Sequence, residues 1–420
     1  MRTIKCFLKK RIAAVFVVAT LGILHFNCVA QKSEMDQSID SNRKGKIVIK
    51  AKPGAKVKVE QVSHEFWFGC AIPNSFADGS MSENDKKQFK EKFLANFNSA
   101  VTENAVKWAT MEPRKGEVDY SMIDSILNWT EANNIPIRGH NLFWGVPKFI
   151  QPWVKELSDK DLELTIKSRA ETVTTRYKGR FAEYDLNNEM VHGNYYEERL
   201  GADITKKMAQ WSQTCDPEEK LFLNDYDILT GKKLPEYMAQ IRLLLQQGVP
   251  IAGIGVQGHI HTETFDRIQL KNALDSLAKF NLPIRVTEFN LPGQNSKYYN
   301  DRKLKLTDEE EVQKATELVD YYKICFAHPA VDGIIMWGFW EGANWIPVSS
   351  MYKRDWSSTP AAEAYRNLIF KEWWTIEKGK INRKGELSVP AFFGKYKVTV
   401  DGKTKEINLT KAAGKVVVEL

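Results

Sequence analysis

The sequence predicts an α/β protein in which eight parallel strands, each followed by a helix, close into a barrel. Three observations predict this fold. Short apolar segments recur at spacings of roughly thirty to fifty residues, the stretches between them carry helical apolar spacing, and the segments finish in polar or aromatic residues. The eight segments begin at Phe66, Phe97, Ile135, Phe181, Lys220, Ala252, Pro283 and Gly333. We therefore expect a (β/α)8 TIM barrel over residues 64–375.

Residues 1–30 have the features of a secretory signal. A basic start and an apolar run from Ile12 to Leu24 precede a small residue at Ala30. The run is too short for a comfortable transmembrane helix. We expect cleavage after Ala30, no transmembrane span afterwards, and a secreted, periplasmic or cell-surface protein. Lipid attachment at Cys28 is the alternative, although Asn27 stands where bacterial lipoproteins usually have a small residue.

Charge and cysteine content argue against several function classes. Five of the 60 Lys and Arg residues lie in the signal, so 55 remain against 53 Asp and Glu. We see no basic stripe and expect no nucleic-acid partner. Cys70, Cys215 and Cys325 lie outside the signal, are odd in number and are widely spaced. This pattern argues against a disulfide framework and against a zinc site.

Between the signal and the barrel, two stretches differ in character. Residues 31–44 are polar and aperiodic, which predicts a flexible tether. Residues 45–63 contain two alternating segments around Pro53-Gly54. This pattern predicts a β-hairpin, and its lysines predict a solvated edge.

The stretches between the apolar segments predict helices. Met122-Ile123, Ile126-Leu127 and Trp129 recur at helical spacing. The stretch from Leu270 to Phe280 does the same and stops at Asn281, before the next strand. These helices are what a strand needs to cross over to a parallel neighbour.

After the barrel, residues 376–420 predict the rest of a small β appendage. Gly394 to Leu420 alternates in apolar character around an Asp401-Gly402 turn, which predicts two or three strands. We expect these strands to pair with the stretch at 45–63, so that one β unit forms from both chain ends. The appendage aromatics are interpreted as packing residues rather than carbohydrate contacts; they are Phe392, Phe393 and Tyr396.

Polar and aromatic residues lie at the ends of seven of the eight segments. They are Glu103, Asn104, His140, Trp144, Asn188, Glu189, Asn224, Tyr226, Gln257, His259, Glu288, Trp337 and Trp340. Functional groups of such a barrel lie at the carboxyl ends of its strands, so we expect these residues to share one cleft. Glu189 and Glu288 are a pair that could cleave a glycosidic bond: one protonates the leaving oxygen, and the other attacks the anomeric carbon or activates water. Alternatively, these groups only hydrogen-bond one another across the barrel mouth.

The motifs at these strand ends resemble glycoside hydrolase family 10, the retaining endo-β-1,4-xylanases. The resemblance covers residues 60–375, and its motifs stand in the family order: FNSAVTENAVKW, RGHNLFWGVPKF, FAEYDLNNEM, LFLNDYDIL, GIGVQGHIH, RVTEFN and MWGFWEGANW. The motifs GHNLFW and NNEM are similar to those of the plant-type and related bacterial branch of the family.

The resemblance implies an enzyme that cleaves internal bonds of xylan by double displacement, with Glu189 as acid/base and Glu288 as nucleophile. The substrate-binding residues it implies are Glu103, Asn104, Lys107, His140, Trp144, Asn188, Tyr226, Gln257, His259, Trp337 and Trp345. It implies no metal and no cofactor. We expect a monomer that binds xylan or xylo-oligosaccharides.

Two positions depart from the family pattern. Gly145 stands where many members have a histidine, and Asn290 stands where an aspartate is frequent. Neither change touches the two glutamates, so activity is still expected. The alternative functions are another β-1,4-glycanase, acting on cellulose or mixed-linkage glucan, and a non-catalytic xylan-binding protein. His192, His261 and His328 are interpreted as ordinary surface or core histidines.

Overall fold

The structure, a computed structural model, describes residues 33–420, so the predicted signal and Cys28 lie outside the described residues. Its strands are β1 (Lys44–Lys50), β2 (Lys56–His64), β3 (Trp67–Ile72), β4 (Ser99–Thr102), β5 (Ile137–Gly139), β6 (Phe143–Trp144), β7 (Glu183–Asn188), β8 (Leu221–Asp225), β9 (Ile251–Val256), β10 (Ile284–Phe289), β11 (Val331–Met336), β12 (Ile376–Lys380), β13 (Glu386–Phe392), β14 (Gly394–Val400), β15 (Lys403–Leu409) and β16 (Lys415–Glu419).

The helices lie mostly between the barrel strands. They are α1 (Glu34–Arg43), α2 (Glu83–Asn96), α3 (Trp108–Met111), α4 (Ser121–Ala132), α5 (Pro152–Lys155), α6 (Asp159–Arg176), α7 (Tyr195–Leu200), α8 (Ile204–Cys215), α9 (Leu234–Gln246), α10 (Arg267–Leu277), α11 (Lys297–Asn300), α12 (Asp308–Ala327) and α13 (Pro360–Asn367). Short 3-10 turns cover Asn74–Phe76, Pro147–Phe149, Ala278–Phe280 and Pro347–Ser349, and a π-helical turn covers Leu368–Glu372. Among residues 33–420, no helix is both long and apolar enough to cross a membrane.

The predicted barrel is confirmed, and each of the eight apolar segments contributes to it. Around the ring the order is β3, β4, β5 with β6, β7, β8, β9, β10 and β11, and β11 pairs with β3 to close it. All neighbouring pairs are parallel. β5 and β6 are two halves of one interrupted strand, because both pair with β7. The carboxyl ends of the strands therefore meet at one mouth.

Local sequence explains why these elements form. Every residue of β10 is buried, as expected for a barrel strand covered by helices outside and by side chains inside. α4 buries Ile123, Ile126 and Leu127 on one face. α10 continues into the turn Ala278–Phe280 and ends at Asn281, whose φ of 56° is left-handed. Asparagine tolerates this conformation, so the helix stops there as predicted.

The β appendage is built from both chain ends, as predicted. β1 lies between β13 and β16, and β2 lies between β12 and β14, with β15 at the far edge. Apolar side chains of both sheets form one small core; they include Ile47, Ile49, Val57, Val59, Val389, Tyr396 and Val398. Phe392 and Tyr396 are buried, and Phe393 packs against this core while partly exposed. Packing is therefore the role that all three aromatics have in this structure.

The predicted hairpin over residues 45–63 is wrong. β1 and β2 do not pair with each other but belong to the two facing sheets. Gly54 does sit in a turn, with a φ of 87°. The connection crosses between the sheets because the apolar residues of both strands must face the same core. Alternation predicts a strand, but it does not identify the strand's partner.

The predicted tether over residues 31–44 is also wrong where the structure describes it. Ser33 caps α1 by accepting a hydrogen bond from the Asp36 backbone N–H at 3.1 Å, and Ile39 is buried in the main core. Arg43 donates to the backbone carbonyls of Phe326, His328 and Val331. A helix this short is marginal alone and is stabilised by tertiary contacts, which polar composition does not reveal.

Cys70, Cys215 and Cys325 are free thiols. Cys70 and Cys325 are fully buried in the barrel, and burial raises the pKa of both thiols. They are therefore packing residues in this structure.

Glu219 is a buried carboxyl in the turn between α8 and β8. It is 8% exposed, and within the described chain neither of its oxygens has a hydrogen-bond partner. Burial, followed by the charge of Asp216, raises the pKa of Glu219 to about 8 from its ordinary value of 4.5. The folded state thus holds the proton more tightly than the unfolded chain. Its stabilising contribution is complete below pH 4.5 and is lost as the pH rises through 8.

We expect Glu219→Gln to raise the free energy of unfolding by about 1–3 kcal/mol at alkaline pH. At a pH near the ordinary pKa of a carboxyl group, the substitution should have little effect on that free energy. Glutamine resembles the protonated acid and cannot ionise, so the variant avoids the buried charge. Urea unfolding at both pH values measures the difference. Glu218→Gln is the matched control, because Glu218 is the exposed neighbour and should change little at either pH. Equal stability of parent and Glu219→Gln at alkaline pH would contradict this account.

Candidate active site

All thirteen residues implied by the resemblance lie at the mouth of the barrel or in the loops that leave it. Asn188 ends β7 and Glu189 follows it, while Glu288 is the penultimate residue of β10. The others follow β4, β5, β6, β8, β9 and β11 or end these strands; they are Glu103, Asn104, Lys107, His140, Trp144, Tyr226, Gln257, His259, Trp337 and Trp345. The closed ring brings together strand ends that are distant in sequence.

Glu189 is partly buried and accepts a hydrogen bond at each carboxylate oxygen. Trp144 Nε1 donates to Oε2 at 2.8 Å, and Gln257 Nε2 donates to Oε1 at 2.8 Å. Burial raises the pKa of Glu189; the Gln257 hydrogen bond opposes this shift, and the charges of Glu288 and Asp225 add to it. The result is a carboxyl that holds its proton to higher pH than an ordinary glutamate.

The backbone at Glu189 is left-handed, with a φ of 59°. Non-glycine residues rarely adopt this conformation, and it persists only where the surroundings enforce it. Its backbone N–H donates to the Asn224 carbonyl at 2.9 Å, and its carbonyl accepts from the His192 N–H at 3.0 Å. These bonds stabilise the turn that directs the Glu189 carboxyl to Trp144 and Gln257.

Glu288 is 5% exposed and lies among donors. Asn224 Nδ2 donates to Oε1 at 2.9 Å, and His259 Nε2 lies 3.3 Å from Oε2. His140 Nδ1 lies 4.0 Å from Oε1. Burial alone would raise the pKa of Glu288, but His140, His259 and the Lys107 charge outweigh it, so the pKa is lowered. At a pH between the two pKa values, Glu288 is therefore ionised while Glu189 is protonated.

Gln257 connects the two carboxyl groups. Its side chain donates to Glu189, and its backbone carbonyl accepts from the Glu288 N–H at 2.6 Å. Because β9 and β10 are adjacent in the ring, Gln257 contacts both glutamates and fixes their positions relative to each other. The pair is therefore positioned by strands rather than by mobile loops.

The chain matches the model of glycosyl hydrolase family 10 over residues 59–368. It belongs to this family. The predicted resemblance is thereby confirmed, and the family's barrel is the fold observed here.

Curated relatives of this family member include plant proteins. Endo-1,4-beta-xylanase 1 of Arabidopsis thaliana is 33% identical over 395 residues, covering 91% of this chain and 39% of its own. Anti-sigma-I factor RsgI6 of Acetivibrio thermocellus is 33% identical over 394 residues, covering 91% of this chain and 49% of its own. The chain thus spans less than half the length of these two relatives. The plant matches support the plant-type branch.

Solved structures agree on the fold. Xylanase 10B from Thermotoga petrophila RKU-1, in complex with xylobiose, has a TM-score of 0.64 and 25% identity, covering 73% of this chain and 95% of that one. Native xylanase 10B from Thermotoga maritima has a TM-score of 0.64 and 24% identity, covering 73% of this chain and 96% of that one.

Lys107 lies between the indoles of this family 10 barrel. Its Nζ is 4.7 Å from the ring centre of Trp144 and 5.9 Å from that of Trp337, and it donates to Asn104 Oδ1 at 2.8 Å. Burial lowers the pKa of Lys107, while the nearby Glu288 charge opposes the shift. Burial likewise raises the pKa of Glu103, opposed first by Lys107. These groups form one coupled cluster on the β4 side of the mouth.

Several buried N–H groups at the mouth lack a partner within the described chain, and two of them adjoin residues of the candidate site. These two are Asn188 Nδ2 and Trp345 Nε1. The other atom of the Asn188 amide, Oδ1, accepts from Asn224 at 3.0 Å, which fixes the orientation of that amide. An unpaired buried donor costs about 1–3 kcal/mol. Both groups are therefore suited to donate to a ligand oxygen.

Gly145 and Asn290, the two departures from the family pattern, each contact neighbouring residues of the site. A side chain at Gly145 would place its first carbon 3.3 Å from the Tyr196 ring and 3.4 Å from the Gly193 carbonyl. A side chain at 145 would therefore fit only if the chain after Glu189 moved by a few tenths of an ångström. Asn290 Oδ1 lies 2.7 Å from His259 Nδ1, so the amide takes over the contact expected of an aspartate.

Sequence reasoning missed a buried network beneath His140. Asp185, in the middle of β7, lies with Oδ2 2.7 Å from His140 Nδ1. Arg138 is fully buried and forms ion pairs with Asp185 and Glu183. The two carboxylates raise the pKa of Arg138 despite its burial. Burial would raise the pKa of Asp185, but Arg138 and His140 outweigh it, so that pKa is lowered. The sequence did contain a signal for this network. Glu183 and Asp185 are acidic residues at alternate positions of β7, and alternate positions of a barrel strand face the interior.

His192 makes contacts beside Glu189 that its position in the sequence did not predict. Its ring stacks on Tyr226 at a centroid distance of 3.5 Å, and its Nδ1 lies 2.7 Å from Asp225 Oδ1. Asp225 also accepts from the Val191 N–H at 2.9 Å. Because Asp225 in turn adds to the raised pKa of Glu189, this cluster belongs to the site. Its only sequence signal was its position three residues after Glu189.

Proposed function

We propose that this chain is a retaining endo-β-1,4-xylanase that hydrolyses internal bonds of xylan by double displacement. The observation that carries the proposal is the position of Gln257, which donates to Glu189 and accepts from the Glu288 N–H, so that a carboxyl of raised pKa and a carboxyl of lowered pKa share one cleft. A protonated carboxyl beside an ionised carboxylate is what a glycosidase uses, and the resemblance to family 10 implies the retaining form of that chemistry. Several of the plant relatives are named endo-1,4-beta-xylanase, and these names supply the substrate class.

In the first step, Glu288 attacks the anomeric carbon while Glu189 gives its proton to the departing glycosidic oxygen. One C–O bond breaks and another forms, leaving a covalent glycosyl-enzyme on Glu288. The aglycone leaves past Tyr226, whose ring is held by the stacked His192.

In the second step, Glu189 acts as the base. Esterification removes the negative charge of Glu288, which is one of the causes of the raised pKa of Glu189, so that pKa falls. Glu189 then accepts a proton from water while the water oxygen attacks the anomeric carbon. The bond to Glu288 breaks, and the released sugar has the β configuration of the substrate.

The cleft also offers groups that suit xylose rings. The Asn188 and Trp345 donors can meet sugar hydroxyls, and Lys107 lies between two indoles that can line a chain of rings. Lys107 and Trp337 are where the additional hydroxymethyl group of glucose would be crowded. This supports xylan over cellulose or mixed-linkage glucan.

Reducing-sugar release from xylan, cellulose and mixed-linkage glucan tests the proposal. We expect release from xylan and much slower release from the glucans. Release from a glucan alone would favour another β-1,4-glycanase. Tight xylan binding without release, by a folded chain, would overturn catalysis and favour a xylan-binding protein. Proton NMR of the first product should show the β anomer, and the α anomer would contradict retention.

We also infer export of this chain. The support is its basic start, the apolar run and Ala30, all in the sequence outside the described residues. A xylanase that meets its polymer outside the cell requires such a route, with release after Ala30 preferred over a lipid anchor at Cys28.

A further inference from the structure

Charge is divided unequally between the two parts of the molecule. The β appendage (residues 44–64 and 376–420) contains 16 Lys and Arg against six Asp and Glu, whereas residues 65–375 contain 37 against 44. These lysines come from both chain ends and meet only in the fold, so they do not form one basic stripe in the sequence. The appendage is therefore a cationic module attached to an acidic barrel.

Much of this charge lies on one side of the sheet formed by β12, β2, β14 and β15. Alternation along these strands directs one set of residues to the appendage core and the other set to solvent. The solvent-facing lysines define the lysine face: Lys56, Lys58, Lys378, Lys380, Lys395 and Lys397.

The lysine face holds like charges next to each other. Lys58 stands directly opposite Lys378, and Lys56 opposite Lys380, in the register of β2 with β12. Like charges in directly opposite positions destabilise a sheet. Only Lys58 and Lys397 have a carboxylate partner on this face; in the described structure the other four lysines form no ion pair. An anionic ligand would relieve this repulsion.

The lysine face continues into concave surface. A groove of about 360 Å³ opens beside Val62 and Lys395. The same two residues line a cleft of about 350 Å³ between the appendage and the barrel. The cleft also contains the partly exposed rings of Phe370 and Trp374. Aromatic faces suit the apolar faces of sugar rings, as ammonium groups suit carboxylates.

We propose that the lysine face and this cleft form a second glycan-binding surface, separate from the catalytic mouth, for xylan that carries uronate side groups. Lysines would pair with the uronate carboxylates, and the cleft rings would contact the sugar backbone. The choice of xylan rests on the proposed function. A cleft with aromatic rings fits a polysaccharide better than a flat lipid surface, which would contact the lysines alone. The surface would hold an acidic polymer that the acidic barrel repels.

Affinity electrophoresis of the whole chain tests this surface. The Glu288→Ala background prevents hydrolysis, and the polymers are glucuronoxylan, neutral arabinoxylan and polygalacturonate. The test variant changes the four unpaired lysines: Lys56→Gln, Lys378→Gln, Lys380→Gln and Lys395→Gln. We expect it to bind glucuronoxylan about tenfold more weakly at low salt, with little change for arabinoxylan. The parent should bind glucuronoxylan more tightly than polygalacturonate.

The control variant loses the same number of lysine charges outside the lysine face. It changes four exposed barrel lysines to Gln, namely Lys87, Lys160, Lys178 and Lys279, and should bind like the parent. Unchanged glucuronoxylan affinity in the test variant would overturn the proposal. So would equal parent affinity for polygalacturonate, duplex DNA or anionic phospholipid vesicles, because the face would then be a general polyanion surface.

The active site is assessed separately. With Glu288 restored, the four-lysine variant should hydrolyse xylotetraose at the parent's rate, because that substrate carries no uronate. A parent that binds glucuronoxylan through the lysines but does not cleave xylotetraose would contradict the proposed function alone. A parent that cleaves xylotetraose, with lysines that make no difference to binding, would contradict the second surface alone.

Discussion

Glu288→Ala is expected to lower kcat on xylan by roughly 10⁴-fold or more, because it removes the group that forms the covalent intermediate. The surrounding donors, Asn224 and His259, would remain but would have no carboxylate to hold. Initial rates of reducing-sugar release measure the loss, and a thermal melt shows whether the variant remains folded. Turnover at the parent's rate with only a change in stability would mean that the mouth carboxylates are structural.

A small nucleophile distinguishes the role of Glu288 from general damage. In Glu288→Ala, azide can enter the space of the missing carboxylate and attack an aryl β-xyloside from the same face. The bond to the aryl oxygen breaks, and the expected product is the α-xylosyl azide. A β-xylosyl azide from this variant would place the nucleophile elsewhere.

Glu189→Ala is expected to lower xylan hydrolysis by about 10²–10⁴-fold, because the leaving oxygen then departs without a proton. An aryl xyloside with a good leaving group needs no such proton, so its first step should survive. Water attack would still be slow, and a burst of phenolate followed by a slow steady state is expected. Stopped-flow absorbance measures it. Equal losses on xylan and in the phenolate burst would contradict an acid/base role.

The pH profile supplies an independent check of Glu189. The parent should lose kcat/KM as the pH rises through the raised pKa of Glu189, and again as the pH falls through the lowered pKa of Glu288. Glu189→Ala should lack the alkaline limb. Trp144→Phe is the matched variant: it removes a hydrogen bond that favours ionised Glu189, so the alkaline limb should move to higher pH. A limb that moves to lower pH would contradict this interpretation.

The candidate site was predictable to the extent that it lies at strand ends. Glu189, Gln257 and Glu288 each follow or close an apolar segment, and a barrel brings such positions together whatever their distance in sequence. Asp185 and Arg138 lie within their strands, so recognising their contact with His140 requires knowledge of which faces point into the barrel. The contact of His192 with Tyr226 could be recognised only in the structure, where the turn after Glu189 stacks the His192 ring on the Tyr226 ring.

The amino-acid sequence is sufficient to predict the barrel, the course of its helices and the strand ends that carry the candidate functional side chains. These features follow from local spacing: apolar segments of strand length, helical periodicity between them, and a stop such as Asn281. The tertiary structure alone decided which strands pair with β1 and β2, that α1 is a helix anchored by Arg43, and that lysines from both chain ends share one face. Those outcomes depend on contacts between residues more than two hundred positions apart, whose free energies no local pattern encodes.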